Sequence, residues 1–173
     1  MLTTPGFYAA WASWLGAFAR GEDLPNHHLS PVDDQLGPHM QERLLQRVAA
    51  AFEARARTWN ETLRRHLAAG VARDPAELGA LLVAARGRLQ PLRELATNSR
   101  LPAEVQQRLH DALSEMISGA QQNLEHSVRR QPHGAERLLA VARENSLAGA
   151  LTSPRMPTHH PQPPPAVGRR VIL

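Results

Sequence analysis

The chain has 173 residues, of which 42% are apolar and only 4% aromatic, enough for one domain whose core is built mainly from Ala and Leu. It carries a formal charge of +4 and no Cys, which excludes disulfides, thiolate catalysis and Cys-ligated zinc. No apolar run reaches the roughly 18 residues that span a bilayer, so a membrane-spanning protein is not expected.

The 20 strongly basic residues are all Arg. The codon usage of a GC-rich, bacterial genome accounts for this; avoidance of Lys in a host cell that modifies it is the alternative. An Arg excess is by itself weak ground for nucleic-acid or membrane binding. No positive charge precedes the first apolar residues, which is a poor match to a secretory signal, and a cytoplasmic protein is expected.

Residues 1 to 20 predict an amphipathic aromatic helix. The protein has three Trp, three Phe and one Tyr, and Phe7, Tyr8, Trp11, Trp14 and Phe18 leave only Phe52 and Trp59 for the rest of the chain. Spacings of three and four put Phe7, Trp11, Trp14 and Phe18 on one face, after Pro5 in the first turn. That face either closes a bundle against Phe52 and Trp59 or is reserved for a partner or a membrane interface.

Residues 21 to 38 lack periodicity and contain Pro25, Pro31, Gly37 and Pro38, so they form a loop. His27, His28, Asp33, Asp34 and His39, followed by Glu42, are metal-competent residue types, but their spacing matches no ligand motif. The expectation is a solvated polar loop with Asp33 or Asp34 capping a turn, and a metal site is the alternative.

The longest helical pattern runs from Met40 to Leu67. Leu45, Val48, Phe52, Ala56, Trp59, Leu63 and Leu67 share one face at 100° per residue, with Arg43, Arg47, Arg57, Glu61 and Arg65 opposite. Glu53 with Arg57 and Glu61 with Arg65 stand four apart, the spacing of helix-stabilising ion pairs. A scaffold helix is expected; Arg43, Arg47, Arg57, Arg64 and Arg65 are the candidate nucleic-acid contacts if it is instead a binding surface.

Asp74-Pro75 predicts a helix start, with Asp as the cap and Pro in the first turn. Leu78, Leu81, Leu82, Ala85, Leu89 and Leu92 continue the pattern through Pro91, where the missing N–H predicts a kink between Gly87 and Pro91. After a break over 97–101, Pro102 opens another helix with Val105, Leu109, Leu113, Met116, Leu124 and Val128 inward and Asp111 and Glu115 on its wet side. A shorter helix follows from Ala135 to about Asn145.

From Thr152 the chain turns Pro-rich, with Pro154, Pro157, Pro161, Pro163, Pro164 and Pro165, which predicts an extended or disordered tail. It closes on Arg169, Arg170, Val171, Ile172 and Leu173, the layout of a tethered docking peptide, added as a strand or held by its carboxylate.

No phosphate loop, His-Glu-x-x-His, Gly-x-Ser-x-Gly or EF-hand pattern occurs, and neither a catalytic grouping nor a cofactor is expected. The fold expected is an all-α helical bundle of about four to five helices over residues 39–151, with a long central helix and a disordered Pro-rich tail over 152–173. Its core would comprise Leu45, Val48, Phe52, Trp59, Leu63, Leu78, Leu82, Leu89, Leu109, Leu113, Met116 and Leu124. The function expected is that of a non-enzymatic interaction module with a protein partner, reached through Phe7, Trp11, Trp14 and Phe18 or through Val171, Ile172 and Leu173. The alternatives are an Arg-rich nucleic-acid-associated regulator and a metal-binding protein using the His/Asp loop, and a homo-oligomer is compatible with each of these readings.

Overall fold

A computed structural model describes residues 4–33, 36–70 and 73–152. Among these every regular element is helical: α1 Thr4–Ala19, α2 Pro38–Ala68, α3 Pro75–Arg88, α4 Gln90–Ala96, α5 Ala103–Arg129, α6 Ala135–Glu144 and α7 Gly149–Thr152. The Pro-rich tail and its terminal Val171, Ile172 and Leu173 lie outside the described residues, as does Asp34.

Local chemistry accounts for most of the helix ends. Asp74 is extended, and its side chain accepts the amide of Ala76 at 3.0 Å, with Pro75 in the first turn of α3, which satisfies one of the helix's orphan donors. The 31-residue α2 begins at Pro38 and is followed by Gly70 at φ +88°, a left-handed conformation open to glycine at little steric cost. The expected kink is a full break: α3 ends at Arg88 and α4 begins at Gln90, with Pro91 in its first turn. Pro91 offers no N–H to the ladder, and Leu89 instead donates to the carbonyl of Arg86 at 3.1 Å. The indole of Trp59, reaching over from α2, donates to the freed Ala85 carbonyl at 2.9 Å.

α2 is the frame. It packs against α1, α3, α4 and α5, and its buried residues are Leu44, Val48, Ala51, Phe52, Ala56, Trp59 and Leu63. Two core assignments move by one residue. Leu45 is only half-buried while Leu44 is fully enclosed, and Met116 is half-buried while Ile117 is enclosed. In both helices, neighbours on more than one flank widen the buried stripe beyond the narrow face that a single partner would cover, and its centre shifts.

The core is continuous from Trp11 to Leu147 and includes the α1 face and part of the loop after it. Leu29, Val32 and Leu36 are buried there, so the loop over 21–38 is not simply a solvated polar connection. It is held by side chains from elsewhere. Trp11 donates its indole N–H to the Ser30 carbonyl at 2.9 Å and Trp14 donates to that of Leu24 at 3.1 Å. Arg100, beyond α4, donates through Nε to the Leu29 carbonyl at 2.7 Å, and its own carbonyl accepts the Val32 amide at 2.8 Å.

The ion pairs expected along the outer face of α2 do not close. Among the described residues neither Glu53 with Arg57 nor Glu61 with Arg65 comes within bridging distance; the pairs formed include Arg55–Asp23 at 2.6 Å and Arg143–Glu125 at 3.7 Å. On a fully wet face the Coulomb gain of such a pair is about cancelled by the entropy of fixing two long side chains.

Candidate functional site: a cleft at the helix break

The break between α3 and α4 does more than bend the chain. It sets Gly87, Gln90, Pro91, Glu94 and Leu95 opposite the end of α1 and the loop that follows, and a cleft of about 460 Å³ opens between them. Trp14 and Phe18 line it from α1, and Glu22, Asp23, Leu24, Pro25 and Asn26 from the loop.

Trp14 and Phe18 are one turn apart, so their rings meet on one face; they stack with centroids 5.3 Å apart and planes at 26°. Both are largely buried, and only their edges reach the cleft. Leu24, by contrast, is 51% exposed, because its carbonyl is held by Trp14 while its side chain faces outward over the opening. The rim is acidic. Asp23 accepts from Arg55 at 2.6 Å yet keeps 69% of its side chain in solvent. Glu22 pairs with Arg20 at 3.3 Å, and Glu94 accepts from Gln90 at 3.2 Å.

Arg55 holds this wall in place. Its guanidinium donates to the carbonyls of Phe18 at 3.4 Å and Glu22 at 3.3 Å as well as to Asp23, and it lies 4.6 Å from the Phe18 ring centroid. A cation at the C-terminal end of α1 meets the orphan carbonyls and the negative pole of the helix, with a ring face beneath it.

A second groove of about 250 Å³ adjoins the first. It is lined by Val83, Arg86, Gly87, Gln90, Arg93 and Ala150, and Gly87 and Gln90 belong to both. Val83 is 60% exposed. The two large apolar side chains most exposed in the described structure, Leu24 and Val83, therefore line two adjoining grooves, Leu24 the first and Val83 the second. In the second groove Arg93 donates to the Ala150 carbonyl at 2.9 Å.

The cleft is lined by carboxylates, carboxamides and apolar groups, and by no Ser, Thr or His. It has no nucleophile paired with a base of the kind covalent catalysis uses.

Of the residues expected to carry function, Trp14 and Phe18 line the cleft and the others fall elsewhere. Trp11 is fully enclosed, Trp14 and Phe18 are buried, and Phe7 is half-buried at the margin. The aromatic face of α1 is thus largely core, packed on α2, where burial removes its apolar area from water. Arg43, Arg47, Arg57, Arg64 and Arg65 are exposed along α2, with Arg47 5.5 Å from the Tyr8 ring centroid. His27, His28, Asp33, His39 and Glu42 are exposed too. The rings of His27 and His28 meet edge-on at 5.9 Å, and among the described residues no three His, Asp or Glu side chains are grouped to hold a metal ion.

Glu22, Asp23, Leu24, Gln90 and Glu94 carry no local pattern that marks them. Arg55 does: at 100° per residue it stands in the row Ala51, Arg55, Trp59, Leu63, a cation set in an apolar stripe. Comparison of the chain with protein-family models, with curated proteins and with solved structures finds no match.

Proposed function

We propose that the protein is a non-enzymatic, cytoplasmic interaction module that takes a short basic and apolar peptide segment of a protein partner in the cleft between the α1–α2 loop and the α3–α4 break. The observation that carries this reading is the composition of that cleft: an apolar floor of Trp14, Phe18 and Leu95 beneath a rim of Glu22, Asp23 and Glu94. Concave apolar surfaces with a few polar groups are where ligands bind, and a rim of one sign selects the opposite sign in the partner.

The probe is a synthetic peptide alternating Arg with Leu, titrated into the full chain while backbone amide shifts are followed. The expected result is a saturable shift confined to Leu24, Gly87, Gln90 and Glu94, weakened in Glu94→Arg. Shifts spread evenly over the surface, or none at millimolar peptide, would overturn the reading.

One observation favours a second reading, that of a nucleic-acid-associated regulator. Arg57 and Arg65 are exposed and free of the Glu53 and Glu61 pairs that their spacing suggests. Unpaired Arg side chains on one helix face are what a phosphate backbone would use. Binding to duplex DNA with a steep salt dependence, reduced in Arg57→Gln/Arg65→Gln, would support it; no binding at low salt would end it.

A further inference from the structure

We propose that the segment Arg169–Leu173 of this same chain seats in the cleft, so that the module is held closed by its own tail until a partner displaces it. The proposal rests on the reading of the cleft as a peptide-binding surface and names its resident occupant.

Three observations lead there. The first is placement. The described chain stops at Thr152, in the short helix α7, and Ala150 lines the groove that shares Gly87 and Gln90 with the cleft. The last described residues therefore lie beside the groove that adjoins the cleft.

The second is reach. Residues 153–168 precede the basic segment and include six prolines. A Pro-rich stretch extends about 3.1 Å per residue, so this spacer covers roughly 50 Å. Val83 of the groove and Gln90, which borders both groove and cleft, are about two turns of helix apart, on the order of 10 Å. The spacer is several times longer than that separation, so its length does not keep the basic segment from the cleft.

The third is chemistry. Arg169 and Arg170 supply two positive charges to a rim carrying Glu22, Asp23 and Glu94, while Val171 and Leu173, on one side of an extended peptide, supply apolar groups to Trp14, Phe18 and Leu95. Leu24 and Val83, the exposed apolar side chains that the fold leaves uncovered, would lie beneath it. Tethering does the rest: a short linker gives an effective concentration of about 1 mM, so a segment with a free-peptide Kd of about 0.1 mM would fill roughly nine-tenths of the clefts.

The chain's lack of Cys makes the test clean. A nitroxide is attached at Ile172→Cys in the full-length protein and amide signal intensities are compared with the label oxidised and reduced. The expected result is loss of most of the signal at Leu24, Gly87, Gln90 and Glu94, far less at Arg43 near the distant end of α2, and recovery when Arg169→Glu and Arg170→Glu are added. A second label at Gly168→Cys guards against disturbance of the apolar end and should give the same pattern. Full intensity at the cleft with both labels overturns the proposal, as does broadening that appears only when labelled protein is mixed with an unlabelled, isotope-enriched copy, which would make the contact one between molecules. The charge-reversed protein is then titrated with the Arg-Leu peptide. If the label broadens the cleft but that variant binds no peptide, the interaction reading falls and the tail contact stands; if peptide shifts the cleft of the native chain and the label does not, the reverse holds.

Discussion

Arg55 of α2 and Asp23 of the α1–α2 loop meet at 2.6 Å, and the two ends of the contact are unlike: Arg55 keeps 13% of its side chain in solvent and Asp23 keeps 69%. The arginine is committed to the fold, with the Phe18 ring beneath it and two backbone carbonyls around it. The carboxylate is mostly wet.

That asymmetry predicts unequal losses. Arg55→Ala removes packing, a ring contact and three acceptors' partner at once, and should cost about 2 kcal/mol. Asp23→Asn should cost less than about 1 kcal/mol, as exposed ion pairs do. Arg55→Lys should fall near Ala, because an ammonium cannot fork between carbonyls and carboxylate. Urea unfolding of the three variants checks the order; equal losses for Arg55→Ala and Asp23→Asn would mean that the ion pair, not the backbone contacts, holds the loop.

Trp11 is fully enclosed and its indole N–H is bonded to the Ser30 carbonyl. Trp11→Ala should destabilise by about 3–5 kcal/mol, the cost of a large cavity. Trp11→Phe keeps much of the volume but leaves that carbonyl without its donor, for about 1–2 kcal/mol. Removal of residues 1–20 should abolish cooperative thermal unfolding. A truncated chain that melts sharply at the native temperature would show that α1 is dispensable to the core.

Gly87 sits in the last turn of α3, and a Cβ built there meets nothing within 4 Å. Gly87→Ala should therefore raise stability by about 0.5 kcal/mol through the helix preference of Ala. The same methyl would stand in the shared wall of the cleft and the groove. Under the proposed function, peptide affinity falls while the melting temperature rises, and a differential measurement on one variant separates the two effects.

On the outer face of α2 the expected ion pairs are open, so Glu53→Gln, Arg57→Gln and the double variant should each change stability by less than about 0.5 kcal/mol, with no coupling between them. A coupling energy above that size, measured by a double-mutant cycle, would place the pair in contact in solution.

Sequence periodicity and local punctuation determined the helices themselves. The Met40 to Leu67 pattern, the Asp74 cap with Pro75, and the missing N–H of Pro91 act between residues at most four apart, and such rules operate before any tertiary contact exists. They also left the inward face of each helix known only to within one position, which is why Leu44 and Ile117 hold places expected for Leu45 and Met116. Tertiary structure alone decided that the aromatic face of α1 turns inward, since burying Trp11, Trp14 and Phe18 needs a surface that only α2 provides.

The cleft belongs wholly to that second kind of information. Its walls are far apart in the chain, from Trp14 to Leu95, and the loop between is positioned by Arg55 from 32 residues away and by Arg100 from 71 away. Glu22, Leu24 and Glu94 carry no pattern because their role comes from what faces them. A hydrophobic period records which side of a helix is dry; it holds no record of where two dry sides stop short of meeting, and that gap is the candidate site.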